Sequence, residues 1–109
     1  MTDPALGPKA LDLMGTGATS AEAIEAIAAR EPNMAYRQVL AVDAAGGTAI
    51  HSGANALGIW TQAQGKDVAS GGNLLANDSV PAAIVAAFEA AKGHLGDRLL
   101  AGLQGGLAA

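Results

Sequence analysis

The spacing of apolar residues changes twice along the chain, and this change limits the possible folds more than any other feature. Ile24, Ile27 and Ala28 recur at helical spacing, behind a helix capping box that begins at Thr19. Residues 37–42 instead form a short and nearly continuous apolar run, which is typical of a buried strand. Helical spacing then returns in the last third of the chain. Helices on either side of a run of strands favour a single α+β domain over residues 1–109, with antiparallel strands flanked by helices.

The strands are predicted to pair as hairpins. Asp43 and the glycines after it have the composition of a turn between a strand over residues 37–42 and a return strand over Thr48–Ser52. Because side chains alternate along a strand, His51 and Ser52 are expected on opposite faces of this hairpin. A further pair of strands is predicted over residues 58–64 and 68–70.

Helices are predicted on both sides of these strands. The first two cover residues 8–14 and 19–30. The third begins after Asn77-Asp78-Ser79, which are good helix caps, and has an apolar stripe that is expected to be buried. The stripe consists of Val80, Ile84, Ala87, Phe88 and Ala91. The last helix carries Leu95, Leu99 and Leu103 on one face and is expected to fray at Gly105-Gly106.

Composition predicts a thin hydrophobic core. Half of the residues are hydrophobic, but alanine is the commonest of them and only 3% of the chain is aromatic. Alanine buries little surface per residue, and the 15 glycines lose more backbone freedom on folding than other residues do. We therefore expect a partner that covers an exposed apolar face, either a second copy in a homo-oligomer or a companion chain.

Charge and residue types exclude several classes of function. The net charge is −4 and the six basic residues are scattered, which predicts no nucleic acid partner. Without cysteine, and with two histidines far apart in the sequence, we expect no metal and no other cofactor. No apolar run approaches the ~20 residues of a membrane-spanning helix. The first residues do not resemble a signal peptide, so we expect no membrane partner and a cytoplasmic location.

Gly71-Gly72-Asn73 is the most suggestive candidate for a catalytic element. Glycines let a backbone approach a ligand closely, and backbone N–H groups together with the Asn73 amide can donate hydrogen bonds to an oxyanion. The structural alternative is a β-bulge or a tight connection between a strand and a helix. The glycines lack the spacing of a phosphate-binding or dinucleotide-binding loop.

Other polar residues near the first hairpin are candidates for the same site. His51 is a candidate general base or substrate partner, and Arg37, Gln38 and Ser52 are candidates for substrate binding. The structural alternative for Arg37 is a residue at the sheet edge or in an ion pair with a neighbouring acidic residue. The alternative for His51 is a histidine on a half-buried face whose ring nitrogens have hydrogen-bond partners. His51 and Ser52 are not expected to act as a catalytic pair, because adjacent strand residues point to opposite faces.

The chain resembles the bacterial family catalogued as domain of unknown function 1028. The most specific parts of the resemblance are Tyr36-Arg37-Gln38, His51-Ser52-Gly53 and Gly72-Asn73-Leu74-Leu75. Members of that family extend beyond this chain at both ends and are similar in fold to the N-terminal-nucleophile (Ntn) hydrolases. The resemblance therefore implies part of an αββα sandwich.

The resemblance also implies a function. This chain would be the C-terminal portion of an enzyme that hydrolyses an amide bond in a small molecule or peptide. Gly72 and Asn73 would stabilise the oxyanion, His51 and Gln38 would orient the substrate, and the nucleophile would come from another segment. Thr2 with a free α-amine has suitable chemistry for a nucleophile, but it lies in a stretch that is internal in the family. The alternative function is a non-catalytic binding or assembly subunit.

Overall fold

The computed structural model describes residues 2–109, which form helices at both ends of the chain and two β-hairpins between them. The elements are α1 (Leu6–Gly15), α2 (Ser20–Arg30), a 3₁₀ helix (Met34–Tyr36), β1 (Gln38–Val42), β2 (Thr48–Ser52), β3 (Thr61–Gly65), β4 (Val68–Gly72), α3 (Val80–Ala90) and α4 (Leu95–Ala108). The prediction of an α+β fold with antiparallel strands flanked by helices is confirmed.

Contacts between neighbouring elements build the layers of the fold. β1 pairs with β2, and β3 pairs with β4, each as a two-stranded antiparallel sheet. The two hairpins face each other, with β1 against β4 and β2 against β3. α1 and α2 pack on the first hairpin, α3 packs on the second, and α4 packs on α3. The order of layers is therefore helices, hairpin, hairpin, helices.

Two small clusters of buried side chains hold these layers together. The first joins α1, α2 and the 3₁₀ helix through Leu6, Ala10, Ile27 and Met34. The second joins α3 to the β3–β4 hairpin through Val68, Val85 and Phe88. Several of the buried hydrophobic residues in the described chain are alanines. Because alanine removes little apolar surface from water, burial stabilises this fold less than a core of large side chains would.

A single carboxylate ties the β1–β2 turn to the start of α2. Thr19 and Glu22 exchange two hydrogen bonds, which confirms the capping box. The Asp43 carboxylate accepts a hydrogen bond from the Ser20 N–H at 2.8 Å and two more from N–H groups of its own turn. These donors, the Ser20 N–H first among them, hold the pKa of Asp43 below its ordinary value of 3.8.

We expect Asp43→Asn to lower the melting temperature by a few degrees at neutral pH. The amide of asparagine has one oxygen that accepts hydrogen bonds and one NH₂ group that cannot accept them, so it cannot serve all of these N–H groups as the carboxylate does. The pKa of Asp43 is lower in the folded state than in the unfolded chain. Its contribution to stability is therefore complete above about pH 4 and is lost as the pH falls through the folded-state value. Thermal unfolding at about pH 7 and about pH 3, followed by circular dichroism, checks this. The difference between wild type and variant should shrink at the lower pH, and an equal difference at both would contradict it.

α4 packs closely on α3 through glycines. A Cβ added at Gly105 would lie 2.5 Å from the Cβ of Ala87, and one added at Gly106 would lie 2.6 Å from Cγ1 of Ile84. The expected fraying at these glycines is therefore wrong, and α4 continues to Ala108. Phe88 of the predicted stripe is buried as expected, whereas Ile84 and Ala87 face α4 and are half-buried. The other residues that α3 buries are Pro81 and Val85.

The outer face of α4 is apolar and open. Leu95, Leu99 and Leu103 share one side of the helix as predicted, and each is more than half exposed, as are Leu100 and Leu107. The start of α4 is fixed by His94, whose Nδ1 accepts from the N–H of Gly96 at 3.0 Å. No helix within residues 2–109 combines the length and the apolar character needed to cross a bilayer.

Candidate functional site

A cavity of about 500 Å³ opens between the start of α1, the start of β1 and the end of β4. It forms because the two hairpins pack face to face and bring β1 alongside β4. Its lining comes from Thr2, Asp3, Leu6, residues 36–40, Ala56, Gly71, Gly72 and Asn73. Four predicted site residues, Arg37, Gln38, Gly72 and Asn73, are therefore brought together although they are far apart in the sequence.

Gln38 is held in place from two sides. Its Nε2 donates to Oγ of Ser52 at 2.9 Å and lies 3.5 Å from the carbonyl oxygen of Thr61. Ser52 is its cross-strand partner in the β1–β2 register, so the short contact follows from the pairing. Ser52 does not line the cavity but orients a residue that does. With Nε2 committed, the Oε1 atom of Gln38 is the acceptor that remains for a ligand.

The two glycines before Asn73 belong to β4 rather than to a loop. The prediction that the strand ends before Gly71 is wrong, because β4 extends to Gly72, which pairs with Thr61. A Cβ at Gly71 would lie 2.5 Å from Cδ1 of Ile50, so a side chain from the facing hairpin fills that space. The glycine therefore permits close packing of the two hairpins at the edge of the cavity.

Asn73 follows the last residue of β4 and is exposed at the cavity. Its Nδ2 donates to the carbonyl oxygen of Leu57 at 3.4 Å, and the same oxygen accepts from the N–H of Leu74 at 3.0 Å. The N–H of Leu75 donates to Ile59 at 3.0 Å, which fixes the backbone after Asn73. Because the amide nitrogen carries two hydrogens and the bond to Leu57 is long, Asn73 retains a donor for a bound oxygen.

His51 lies on the opposite face of the first hairpin from Ser52, as the alternation predicts. Its Nε2 is 2.8 Å from the carbonyl oxygen of Met34 in the 3₁₀ helix, and a carbonyl partner requires this nitrogen to carry the proton. His51 does not line the cavity. Its contact fixes the 3₁₀ helix, and its catalytic role stays a prediction.

Six cavity-lining residues were not predicted from the sequence to belong to the site: Asp3, Leu6, Tyr36, Val39, Leu40 and Ala56. Tyr36 is 61% exposed, and its place in the motif Tyr36-Arg37-Gln38 was the available sequence signal. Thr2 also lines the cavity. Within residues 2–109, no three histidine or acidic side chains come together as a metal-binding group.

The chain matches the family of unknown function DUF1028 over residues 1–109 and belongs to that family. This confirms the family that the sequence motifs indicated. In structure it is similar to protein SPO2555 from Silicibacter pomeroyi, a member of the same family, with a TM-score of 0.91 and 27% sequence identity. The similarity covers 98% of this chain and 49% of that chain, so this chain spans about half the length of that relative. A search of curated proteins gave no match.

Proposed function

We propose that the cavity is the oxyanion-binding and substrate-orienting part of an amide hydrolase with an Ntn-hydrolase-like αββα fold. In this proposal the substrate is a small molecule or a peptide, and the nucleophile comes from a segment outside residues 2–109. The observation that carries the proposal is the convergence of Gln38, Gly72 and Asn73 on one cavity.

The chemistry assigns a role to each of these residues. Attack on an amide carbonyl places negative charge on its oxygen, and the side-chain amide of Asn73 donates a hydrogen bond to that oxygen. Gly72 places the end of β4 at the cavity, next to Asn73, and Leu75 fills the space that a side chain there would take. Gln38 accepts a hydrogen bond from the substrate through Oε1, and Arg37 places a positive charge at the same cavity.

The composition of the cavity supports an external nucleophile. Its described lining contains no histidine, lysine or cysteine, and Asp3 is the one carboxylate among the described lining residues. The hydroxyls of Thr2 and Tyr36 are the nucleophilic groups present. Thr2 can serve only if a base activates its hydroxyl, either its own free α-amine or a carboxylate such as that of Asp3, and the proposal does not depend on it.

An assay with this chain alone and together with the part of SPO2555 that it does not match tests the proposal. We expect hydrolysis of a panel of amino-acid p-nitroanilides and short peptide amides only when both polypeptides are present. Thr2→Ala should retain turnover in the combined sample. Hydrolysis by this chain alone that Thr2→Ala abolishes would overturn the external nucleophile, and no hydrolysis of any amide would overturn the proposed reaction.

A non-catalytic binding or assembly subunit is the second candidate function. It is favoured by the open leucine face of α4, where five leucines are more than half exposed. Monomeric proteins rarely leave a contiguous apolar surface of this kind without a partner. A stable complex that binds amides without hydrolysing them would support this function instead.

A further inference from the structure

The outer side of α4 carries an apolar stripe with a regular period. It consists of four positions spaced four, three and four residues apart, which places them on one side of the helix: Gly96, Leu100, Leu103 and Leu107. The three leucines are 54%, 65% and 88% exposed. A Cβ added at Gly96 would meet only the ring of His94 within 4 Å, so the space above this glycine is open. We call these four positions the α4 leucine face.

The opposite side of α4 packs on α3 through small residues. A Cβ added at Gly102 would lie 3.4 Å from the carbonyl oxygen of Ile84, and one added at Gly105 would lie 2.5 Å from the Cβ of Ala87. An ordinary surface helix buries its large apolar side chains against its own domain. α4 does the reverse, because it turns glycines inward and leucines outward. The leucines therefore add little to the fold of a single chain and are available to a partner.

The charges of α4 suit another apolar protein surface. The chain has ten acidic and six basic residues, whereas α4 has only Asp97 and Arg98 and is neutral. Two copies can therefore meet at this helix without bringing like charges together. A helix that lies on an anionic membrane is rich in lysine and arginine, but the one arginine of α4 stacks on Phe88, 4.2 Å from the ring centre.

We propose that two copies of this chain form a dimer in which the α4 leucine faces pack antiparallel across a two-fold axis. The pattern is symmetric about the middle of the stripe, because Gly96 and Leu107 are equally far from it, and so are Leu100 and Leu103. Antiparallel pairing places Leu107 of one protomer over Gly96 of its partner, where the space is open. Parallel pairing would set glycine against glycine and leave a gap between the helices.

The size of the surface fits a weak and reversible dimer. α4 is 14 residues long, about 21 Å, so its exposed side offers a few hundred Å² of apolar surface. A standard interface buries about 800 Å² on each partner, and smaller interfaces are typical of transient complexes. We therefore expect a dissociation constant in the micromolar range. The inference concerns assembly and does not depend on the proposed reaction.

Analytical ultracentrifugation of the purified chain between about 1 and 500 μM tests the inference. The wild type should change from monomer to dimer over this range. Leu103→Glu should raise the dissociation constant at least about tenfold, because it places a carboxylate from each copy in the apolar contact. Leu11→Glu in α1 is the matched control and should keep the wild-type constant, since Leu11 and Leu103 are both helical and both 65% exposed. Circular dichroism checks that both variants fold.

Disulfide cross-linking measures the orientation of the two helices, and a chain without natural cysteine makes it specific. The Gly96→Cys and Leu107→Cys proteins, mixed and oxidised, should form a covalent dimer of one variant with the other. Neither protein should cross-link efficiently with itself. Antiparallel pairing keeps the two copies of either position about 16 Å apart along the helix axis, whereas a disulfide needs Cα atoms within about 7 Å.

Three results would overturn the dimer: a chain that stays monomeric at the highest concentration, a dimer that Leu103→Glu leaves intact, or one that Leu11→Glu abolishes. Efficient cross-linking of either cysteine variant with itself would overturn the antiparallel arrangement. If the chain stays monomeric but binds the unmatched part of SPO2555, and Leu103→Glu abolishes that binding, the α4 leucine face belongs to that polypeptide and the inference is wrong.

Discussion

Gly53→Ala is expected to destabilise the protein so strongly that little of it folds at physiological temperature. An alanine Cβ at this buried position would lie 2.2 Å from the carbonyl oxygen of Ala35 and 2.3 Å from that of Met34. Both obstacles are backbone atoms of the 3₁₀ helix region, so no side-chain rotation relieves the contact. Such overpacking costs at least about 3 kcal/mol, out of a total stability of about 5–15 kcal/mol for a domain.

The backbone around Gly53 has little freedom to move away. Its N–H donates to Arg37 at 2.8 Å, and the N–H of Asn55 donates to Ala35 at 2.7 Å. His51, which lies in β2, forms a hydrogen bond with the carbonyl oxygen of Met34 in the 3₁₀ helix. Shifting the 3₁₀ helix would therefore break several hydrogen bonds at once, and it would also displace Arg37 and Gln38 from the cavity.

Gly7→Ala is the control for this prediction. Gly7 lies in α1, and an added Cβ there meets nothing within 4 Å. Alanine in a helix is favoured over glycine by up to about 1 kcal/mol, so this variant should be as stable as wild type or slightly more stable. Urea unfolding of the three proteins measures the difference. A Gly53→Ala protein with the wild-type midpoint would show that the 3₁₀ helix does not pack on the end of β2 in solution.

Local patterns were sufficient to predict the elements whose signals are local. The capping box predicted the start of α2, and the Asp43 turn predicted the β1–β2 hairpin, because each depends on residues close together in sequence. The two-residue period of a strand placed His51 and Ser52 on opposite faces, which their different hydrogen-bond partners confirm. In each case the physical cause acts over a few residues.

Contacts between distant segments explain what the patterns missed. Glycine weakens a strand in isolation, so Gly71 predicted an end to β4, but the fold uses it to admit Ile50 from the other hairpin. In the same way Gly105 and Gly106 predicted fraying, whereas they let α4 approach α3. A glycine that makes room for a partner cannot be distinguished by sequence from one that ends an element.

The candidate site was predictable in part. Polar residues next to glycines indicated Gly72 and Asn73, and the motif at β1 indicated Arg37 and Gln38, all of which line the cavity. The sequence could not show that His51 faces Met34 instead, because that depends on where the 3₁₀ helix lies. The family match fixes membership over residues 1–109 and leaves the reaction as a proposal.

Asn73→Ala is expected to lower kcat for amide hydrolysis by about 100-fold to 1,000-fold in the complex that contains both polypeptides. Removal of one hydrogen-bond donor from an oxyanion site has an effect of this size, because the donor acts most strongly on charge that develops in the transition state. KM should change little, since a neutral ground-state carbonyl gains less from the same donor. The stability of the folded chain should change by less than about 0.5 kcal/mol, because Asn73 is exposed and its bond to Leu57 is long at 3.4 Å.

Asn55→Ala provides the matched control for this second prediction. Asn55 is also an exposed asparagine in the loop after β2, and it is not part of the cavity lining. Its variant should keep the wild-type kcat, whereas Asn73→Asp should lose as much activity as Asn73→Ala, because a carboxylate repels the developing oxyanion instead of donating to it. Steady-state kinetics together with urea unfolding separate an effect on catalysis from an effect on folding. Unchanged turnover in Asn73→Ala would rule out the oxyanion role of this residue. A loss of kcat accompanied by a large loss of folding stability would show that Asn73 supports the fold instead of the reaction.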